Sequence, residues 1–425
     1  MGLYTLSGLV IANMIGAGVF TTSGFAMGDL GNPYLVIFAW TIGGCLALCG
    51  ALSYGALSRL IPESGGEYLF LSRSIHPMLG FIAGWVSLLA GFTGAIAYAA
   101  TTFSVYLLPG QGQGLENLVA SGVIIVSAMA HGLRIHHGVI LQNLSVVLKL
   151  LLIVLFISYA LLTATADSWQ GIPAEAQMDI GGFSIFTFAM TLMWISFSYA
   201  GFNAAIYIAS EAHQPRRNVP RALVMGTLAT LFLYIILNAI FVLAPAPELI
   251  GYKQDIAAIA AQAIGGDRLS GFVRIIICIA LFTSVSSMVM LGPRVYAKMA
   301  EDGLMPEVMK FNGDVPSMAI LMQALLAIMV VWISTLRELL SYLGFTLALS
   351  TVMTVSSLFI LVRRDPVQKS HLPGYPWAPS LFIIFTLLFA SLAARRQPWE
   401  MVAAVVTILS GVLAYYWFSR TKNTC

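Results

Sequence analysis

Asn13-Met14-Ile15-Gly16-Ala17-Gly18-Val19-Phe20 sets two glycines inside an apolar, uncharged run from Leu3 to Met27. A single glycine weakens a helix by about 1 kcal/mol. Two glycines bracketing an alanine let the backbone leave helical geometry altogether, which hydrocarbon tolerates only where the freed N–H and C=O groups line a cavity or meet a ligand. The same glycines also make a small-residue face against which another helix packs closely. Both readings stand on this string alone.

Hydrophobic residues make up 59% of the 425 residues and charged residues 9%, with a mean hydropathy of +0.88. Soluble domains carry about 25% charged residues, so the chain reads as an all-α polytopic membrane protein. The formal net charge is +3, and the basic residues are scattered over short loops, which excludes nucleic acid as a partner. Cys45, Cys49, Cys278 and Cys425 show neither metal spacing nor a disulfide framework. No metal and no cofactor is expected. The first apolar run lacks a basic flank and is too long for a cleaved signal, so it reads as the first membrane span.

Apolar runs of roughly 20 residues recur about twelve times, near 3–28, 33–57, 78–108, 117–133, 140–166, 183–209, 222–245, 270–297, 317–335, 339–362, 378–394 and 399–419. Most Lys and Arg residues, from Arg59, Arg73 and Arg134 through Arg216, Arg217 and Arg221 to Arg363, Arg364, Lys369, Arg420 and Lys422, follow even-numbered runs. Both termini are therefore expected to be cytoplasmic. Lys253, Arg268, Arg274, Arg337, Arg395 and Arg396 are assigned to loops on the opposite side.

Lys149 stands apart, deep in the fifth run with the sequence Gln142-Asn143-Leu144-Ser145-Val146-Val147-Leu148-Lys149. An intramembrane cation without a carboxylate partner is a functional candidate; snorkelling to the nearer surface is the other reading. In the sixth run, Phe197-Ser198-Tyr199-Ala200-Gly201-Phe202-Asn203 again interrupts an apolar helix. If the chain is five helices followed by five related ones, runs 1 and 6 are counterparts, and paired interruptions at corresponding positions point to a midplane binding site in a transporter. Thr283, Ser284, Ser286 and Ser287 share faces of the eighth run, either as site hydroxyls or as groups bonded back to their own helix. Ile61-Pro62-Glu63-Ser64-Gly65-Gly66-Glu67-Tyr68 and the string from Tyr296 to Pro306 read as loops with helix stops.

Taken in order, Ile15 to Phe20, Pro62 to Tyr68, Tyr199 to Asn203 with Pro215 to Pro220, and Tyr296 to Pro306 resemble the amino acid–polyamine–organocation superfamily, in its permease and antiporter branches. The resemblance implies a LeuT-type 5+5 inverted repeat plus two further helices: 1–166 as the first repeat, 167–362 as the second, and 363–425 as helices 11 and 12 with a cytoplasmic C-terminus. It implies that Ile15, Gly16, Ala17, Gly18, Phe197, Ser198, Tyr199, Ala200, Gly201 and Asn203 surround an amino acid. Amides near Gly16 to Gly18 would take its carboxylate, and carbonyls of Ile15 and of Phe197 to Ala200 its ammonium. Phe197 matches the position that closes over substrate. Lys149 matches a lysine whose ammonium replaces a sodium ion in sodium-independent members, near helix 1 and the hydroxyls of Thr283, Ser284, Ser286 and Ser287.

Asn203 stands where many relatives are acidic, and Gln214 replaces the usual Asn before Pro215. Without a midmembrane carboxylate a second positive charge beside Lys149 lacks compensation, which favours neutral amino acids over arginine, lysine or polyamines. The expected function is sodium-independent secondary transport in the plasma (cell inner) membrane, as exchanger, uniporter or proton symporter. The alternatives are a cationic amino acid or polyamine exchanger and, more remotely, a non-transporting receptor. No acid–base or Cys cluster at depth points to an enzyme. The expected partners are a small-molecule amino acid and the lipid bilayer. Leu108 to Glu116 holds no Cys, so no disulfide-linked subunit is implied.

Overall fold

The computed structural model describes residues 1–132, 138–163, 169–171, 183–311, 313, 315–364 and 372–422, with side chains described outside 133–146 and 420–425. Arg134, Lys369, Cys425 and the expected boundary at 166/167 lie outside the described residues, as do the side chains of Gln142, Asn143, Ser145, Arg420 and Lys422.

The chain runs through α1 (Leu3–Met14), α2 (Ala17–Leu30), α3 (Pro33–Leu60), α4 (Gly66–Ser74) and α5 (Pro77–Val86), the last continued by a π-helical stretch, Ser87–Gly94, into α6 (Ala95–Leu107). Then follow α7 (Gln113–Gly132), α8 (Gly138–Leu162), α9 (Ile185–Ser198), a 3-10 segment (Ala204–Glu211) and α10 (Pro215–Leu243). The remainder is α11 (Pro247–Ile250), α12 (Ile256–Glu301), α13 (Ser317–Ile333), α14 (Leu336–Arg364), α15 (Trp377–Ala393) and α16 (Pro398–Lys422). Several starts are written by X-Pro pairs, since proline suits the first helical turn. Before Pro33, Asn32 Oδ1 accepts from the Tyr34 and Leu35 amides; before Pro77, His76 Nδ1 accepts from the Met78 amide. Gln214, before Pro215, sits in the left-handed region at φ 51°, a conformation asparagine tolerates better than most residues.

Among the described residues, 7 helical spans are long and apolar enough to cross a membrane, and the bent pair α1 and α2 makes 8 when counted as one. Shorter apolar helices lie at Val147–Leu162, Ile185–Ser198, Ser317–Ile333 and Trp377–Ala393. Exposed large side chains such as Leu155, Ile275, Leu325, Ile384 and Leu413 face outward, as hydrocarbon requires. The chain is an integral membrane protein.

Three expectations need correction. α3 does stop at Leu60, ahead of Pro62, but Gly66, Glu67 and Tyr68 open α4 rather than continue a loop, with Glu67 in its first turn, where the helix dipole favours an acid. The string from Tyr296 continues α12 as far as Glu301 and turns only at Asp302 and Gly303. Arg274, assigned to a loop, lies within α12, paired at 2.5 Å with Asp255. The two stay together because α12 breaks at Gly265 and Gly266, the latter at φ 68°, so the chain between them folds back.

The broken helices occupy the centre. α1 packs on α10, which lies along α3; α2 packs on α9; α12 lies against α6 and α8. α15 and α16 pack outside, against α3, α9, α14 and α5. The Met1 ammonium donates to the Glu211 carbonyl at 2.7 Å, and Met1 O accepts from the His213 amide at 2.9 Å. These contacts define a near face, carrying Met1, and an opposite far face, where α2 ends.

Candidate functional site

α1 ends at Met14, and α2 starts at Ala17 after Gly16, whose backbone is extended at φ −128°, ψ −160°. The two axes differ by 42°. α9 ends at Ser198, and residues 199–203 turn, with Gly201 at φ 103°. The interruptions touch. A Cβ on Gly201 would lie 3.0 Å from the Asn13 carbonyl carbon and oxygen, and one on Gly18 2.8 Å from Ser198 Cα. A Cβ on Gly16 would meet only Met14 O, at 3.9 Å. Gly18 and Gly201 therefore provide close approach, while Gly16 provides the break. The cap residue of α2 has no side chain, so its first N–H groups lack a side-chain cap, an arrangement suited to an anion. The carbonyl ends of α1 and α9 carry the opposite partial charge.

Lys149 is 1% exposed. Its ammonium donates to Ala12 O at 3.0 Å and Ile15 O at 2.9 Å, so it caps the negative end of α1 rather than snorkelling. Ile15 O, given by the resemblance to the substrate ammonium, is thus engaged by Lys149, though a carbonyl has two lone pairs. The α12 hydroxyls have other bonds: Thr283 and Ser284 donate to Ala280 O at 2.8 and 2.9 Å, and Ser286 Oγ lies 2.8 Å from His131 Nε2. Ser287 is half-buried on the same helix.

Phe197 packs edge-on to Tyr98 of α6, with centroids 5.3 Å apart, and the Tyr98 hydroxyl bonds to Thr21. Ser198 Oγ meets Thr22 Oγ1 at 2.9 Å. Tyr199 turns away toward α3, donating to Trp40 O at 3.1 Å. A narrow crevice of ≈ 60 Å³ opens beside Tyr199 and Ala200, lined also by Met193, Thr351 and Phe382. Asn203 faces the near side, where its amide donates to Glu67 Oε1 at 3.2 Å and Tyr54 donates to the same oxygen. Burial pushes the Glu67 carboxyl up, and these two donors pull it back. Gly66, at φ 60°, packs against the Tyr207 ring, and the Ser64 and Ser210 hydroxyls meet at 2.5 Å. The residues after the second interruption are thereby held to α4.

Sequence reasoning missed Tyr234 of α10, which is fully buried. Its hydroxyl is within donating distance of Met14 O and, at 3.2 Å, of Ser198 O, so one group bridges both interruptions. Rings of Trp40 and Tyr199 hold it from the sides. The available signal was Tyr234 and Asn238, a polar pair one turn apart in an otherwise apolar run. Tyr234→Phe is expected to fold and to lose about 1–3 kcal/mol of stability, because a buried carbonyl is left unpaired. Thermal unfolding of the purified protein checks this, with a weakened substrate-induced shift expected alongside.

Facing ends of interrupted helices inside an apolar bundle are the arrangement on which midplane sites of membrane transporters are built. A sequence profile of the amino acid permease family matches residues 1–412, and the chain belongs to that family. It is 26% identical to the serine/threonine exchanger SteT of Bacillus subtilis over 99% of this chain and 97% of that one. It is 24% identical to the large neutral amino acids transporter small subunit 2 of Mus musculus (99% and 82%) and 23% identical to the Asc-type amino acid transporter 1 of Homo sapiens (99% and 83%). The family and these relatives are transporters, not enzymes.

Proposed function

We propose that the chain is a sodium-independent secondary transporter of neutral amino acids, working by alternating access as an exchanger, uniporter or proton symporter. The observation that carries this reading is the meeting of the uncapped start of α2 with the carbonyl ends of α1 and α9. One α-carboxylate and one α-ammonium complement those ends. Gly16 to Gly18 serve the carboxylate, and the Phe197 to Ala200 carbonyls serve the ammonium. Lys149 occupies the place of a coupling cation between α8 and α1, which supports independence from sodium. Neutral substrates are favoured because, among the described residues, Lys149 is held by carbonyls alone, leaving a second cation uncompensated. The names of the relatives, a serine/threonine exchanger and a large neutral amino acid transporter, agree.

In this account the spans form two inverted five-helix repeats, 1–166 and 167–362, with 363–425 outside them. The near face and both termini are cytoplasmic, the membrane is the plasma membrane, and no disulfide-linked subunit is required. The experiment is uptake of a labelled amino acid panel into proteoliposomes, without sodium, at two pH values and with or without internal substrate. Uptake of neutral amino acids stimulated by internal substrate or by a proton gradient supports the reading. Binding without flux under every gradient replaces it with a receptor, and preference for arginine or polyamines replaces the substrate class.

A further inference from the structure

α10, Pro215–Leu243, has 29 residues and spans about 44 Å at about 1.5 Å per residue. A bilayer with both headgroup layers measures about 40–45 Å, so α10 runs from one headgroup layer to the other. Met225, Leu228, Phe232 and Ile236 are exposed along it, three or four residues apart, which is the spacing of a single helix face. That face meets hydrocarbon. Carried back toward the near face, the same spacing reaches Arg221 and then Arg217, both exposed, with exposed Arg216 alongside. Arg221 lies about 6 Å beyond Met225, and Arg217 about 12 Å. The headgroup layer is about 5–8 Å deep, so Arg221 sits within it and Arg217 at its outer edge. Tyr4, exposed near the start of α1, marks the same level, since tyrosine collects at the membrane–water interface.

Among the described residues, Arg216, Arg217 and Arg221 make no side-chain ion pair or hydrogen bond. Elsewhere Arg73 pairs with Glu63, Lys298 with Glu301 and Asp302, and Lys310 with Glu307. Glu211, the acid closest in sequence, engages through its carbonyl, which accepts from the Met1 ammonium. The three arginines also occupy the opening turns of α10, whose first turn holds no acidic residue and whose dipole disfavours a cation there. Three unpaired cations at the positive end of a helix weaken the fold, and an anion from outside the chain relieves them. Their place on the hydrocarbon-facing side makes that anion a lipid headgroup rather than a soluble ion.

We propose that Arg216, Arg217 and Arg221 form a near-face binding site for an anionic glycerophospholipid, with its phosphate at the guanidinium groups and its acyl chains along Met225, Leu228 and Phe232. The site stands on the membrane-spanning fold alone and does not depend on the transport reading. Its place bears on both interruptions. Just ahead of Arg216 the chain is tied to the start of α1, since the His213 amide donates to Met1 O at 2.9 Å and the Met1 ammonium to Glu211 O at 2.7 Å. α1 then crosses α10 at Gly226, where a Cβ would lie 2.7 Å from Val10 Cβ and 3.1 Å from Ser7 O. A lipid on these arginines therefore braces α1 together with the 3-10 segment that leaves the second interruption.

The test is thermal unfolding of the purified chain in phosphatidylcholine nanodiscs holding increasing fractions of phosphatidylglycerol. Wild type is compared with Arg217→Gln/Arg221→Gln and with a charge-matched control, Arg363→Gln/Arg364→Gln. α14 starts beside the end of α2, where Arg337 pairs with Asp29, so Arg363 and Arg364 close its near-face end. Both double variants are expected to fold, because all four side chains are exposed. In phosphatidylcholine alone, Arg217→Gln/Arg221→Gln should melt at or above the wild-type temperature, since the conflict with the dipole is relieved. Phosphatidylglycerol should raise the wild-type melting temperature. The fraction giving half that rise should be about 25-fold higher in Arg217→Gln/Arg221→Gln, about fivefold for each guanidinium, and unchanged in the control. No rise in wild type, an equal rise in Arg217→Gln/Arg221→Gln, or an equal loss in the control overturns the site. The same rise produced by inorganic phosphate in phosphatidylcholine alone overturns the lipid as its occupant.

Discussion

Gly201→Val is expected to abolish substrate binding and uptake while leaving a protein that is extracted and purified as wild type. Gly201 has φ 103°, a region where a β-branched side chain is strained by about 1–3 kcal/mol. Its added Cβ would also stand 3.0 Å from the Asn13 carbonyl, and backbone cannot step aside as a flexible side chain can. The turn at 199–203 must then withdraw from α1, and the two interruptions separate. Strain of this size converts to a loss of affinity of roughly 5- to 150-fold before the steric contact is added. Gly16→Ala is the contrast. Its backbone suits other residues and its Cβ would make only an ordinary contact with Met14 O at 3.9 Å, so it should fold normally and weaken binding only by the room it takes. Ligand-induced thermal shift together with uptake checks both, and normal binding by Gly201→Val would sink the paired-interruption site.

Lys149→Met carries the second large effect, this time on transport more than on stability. Removing the ammonium leaves Ala12 O and Ile15 O buried without their donor, at about 1–3 kcal/mol each. It also removes a cation from the negative end of α1. Against this, a buried charge with no carboxylate among the described residues is itself unfavourable, so the change in melting temperature should be small. The end of α1, no longer tied to α8, loses its position beside the substrate site, and the uptake rate should fall at least about tenfold, the equivalent of 1.4 kcal/mol. Lys149→Arg should not rescue, because a planar fork cannot replace a compact ammonium between two carbonyls. Unchanged rate and unchanged pH dependence in Lys149→Met would remove Lys149 from the mechanism.

Backbone interruptions were legible in the sequence because glycine pairs have few reasons to sit inside an apolar span. Lys149 was legible because an ionisable group at depth needs a partner, although its partners, the carbonyls at the end of α1, are invisible without the fold. The α12 hydroxyls show the opposite limit: helical spacing groups Thr283 with Ser287, but a serine or threonine can bond its own helix, and Thr283 and Ser284 do. Glu67 was read as a loop residue since Pro62, Gly65 and Gly66 precede it; Gly66 instead admits the Tyr207 ring and opens α4, which carries the carboxylate inward. Tyr234 and the break at Gly265 and Gly266 depend on which helices meet, and hydropathy does not record that. The π-helical stretch at Ser87–Gly94 falls inside one apolar run for the same reason.

The central claim is that the helix ends read both charged ends of an amino acid. Its most direct test is equilibrium binding of three ligands sharing one neutral side chain: the amino acid, its carboxamide, and the carboxylic acid lacking the α-amine. The account predicts that the purified protein binds the amino acid and that capping or deleting either charged end abolishes binding. Comparable affinity for the carboxamide or for the deaminated acid would contradict it.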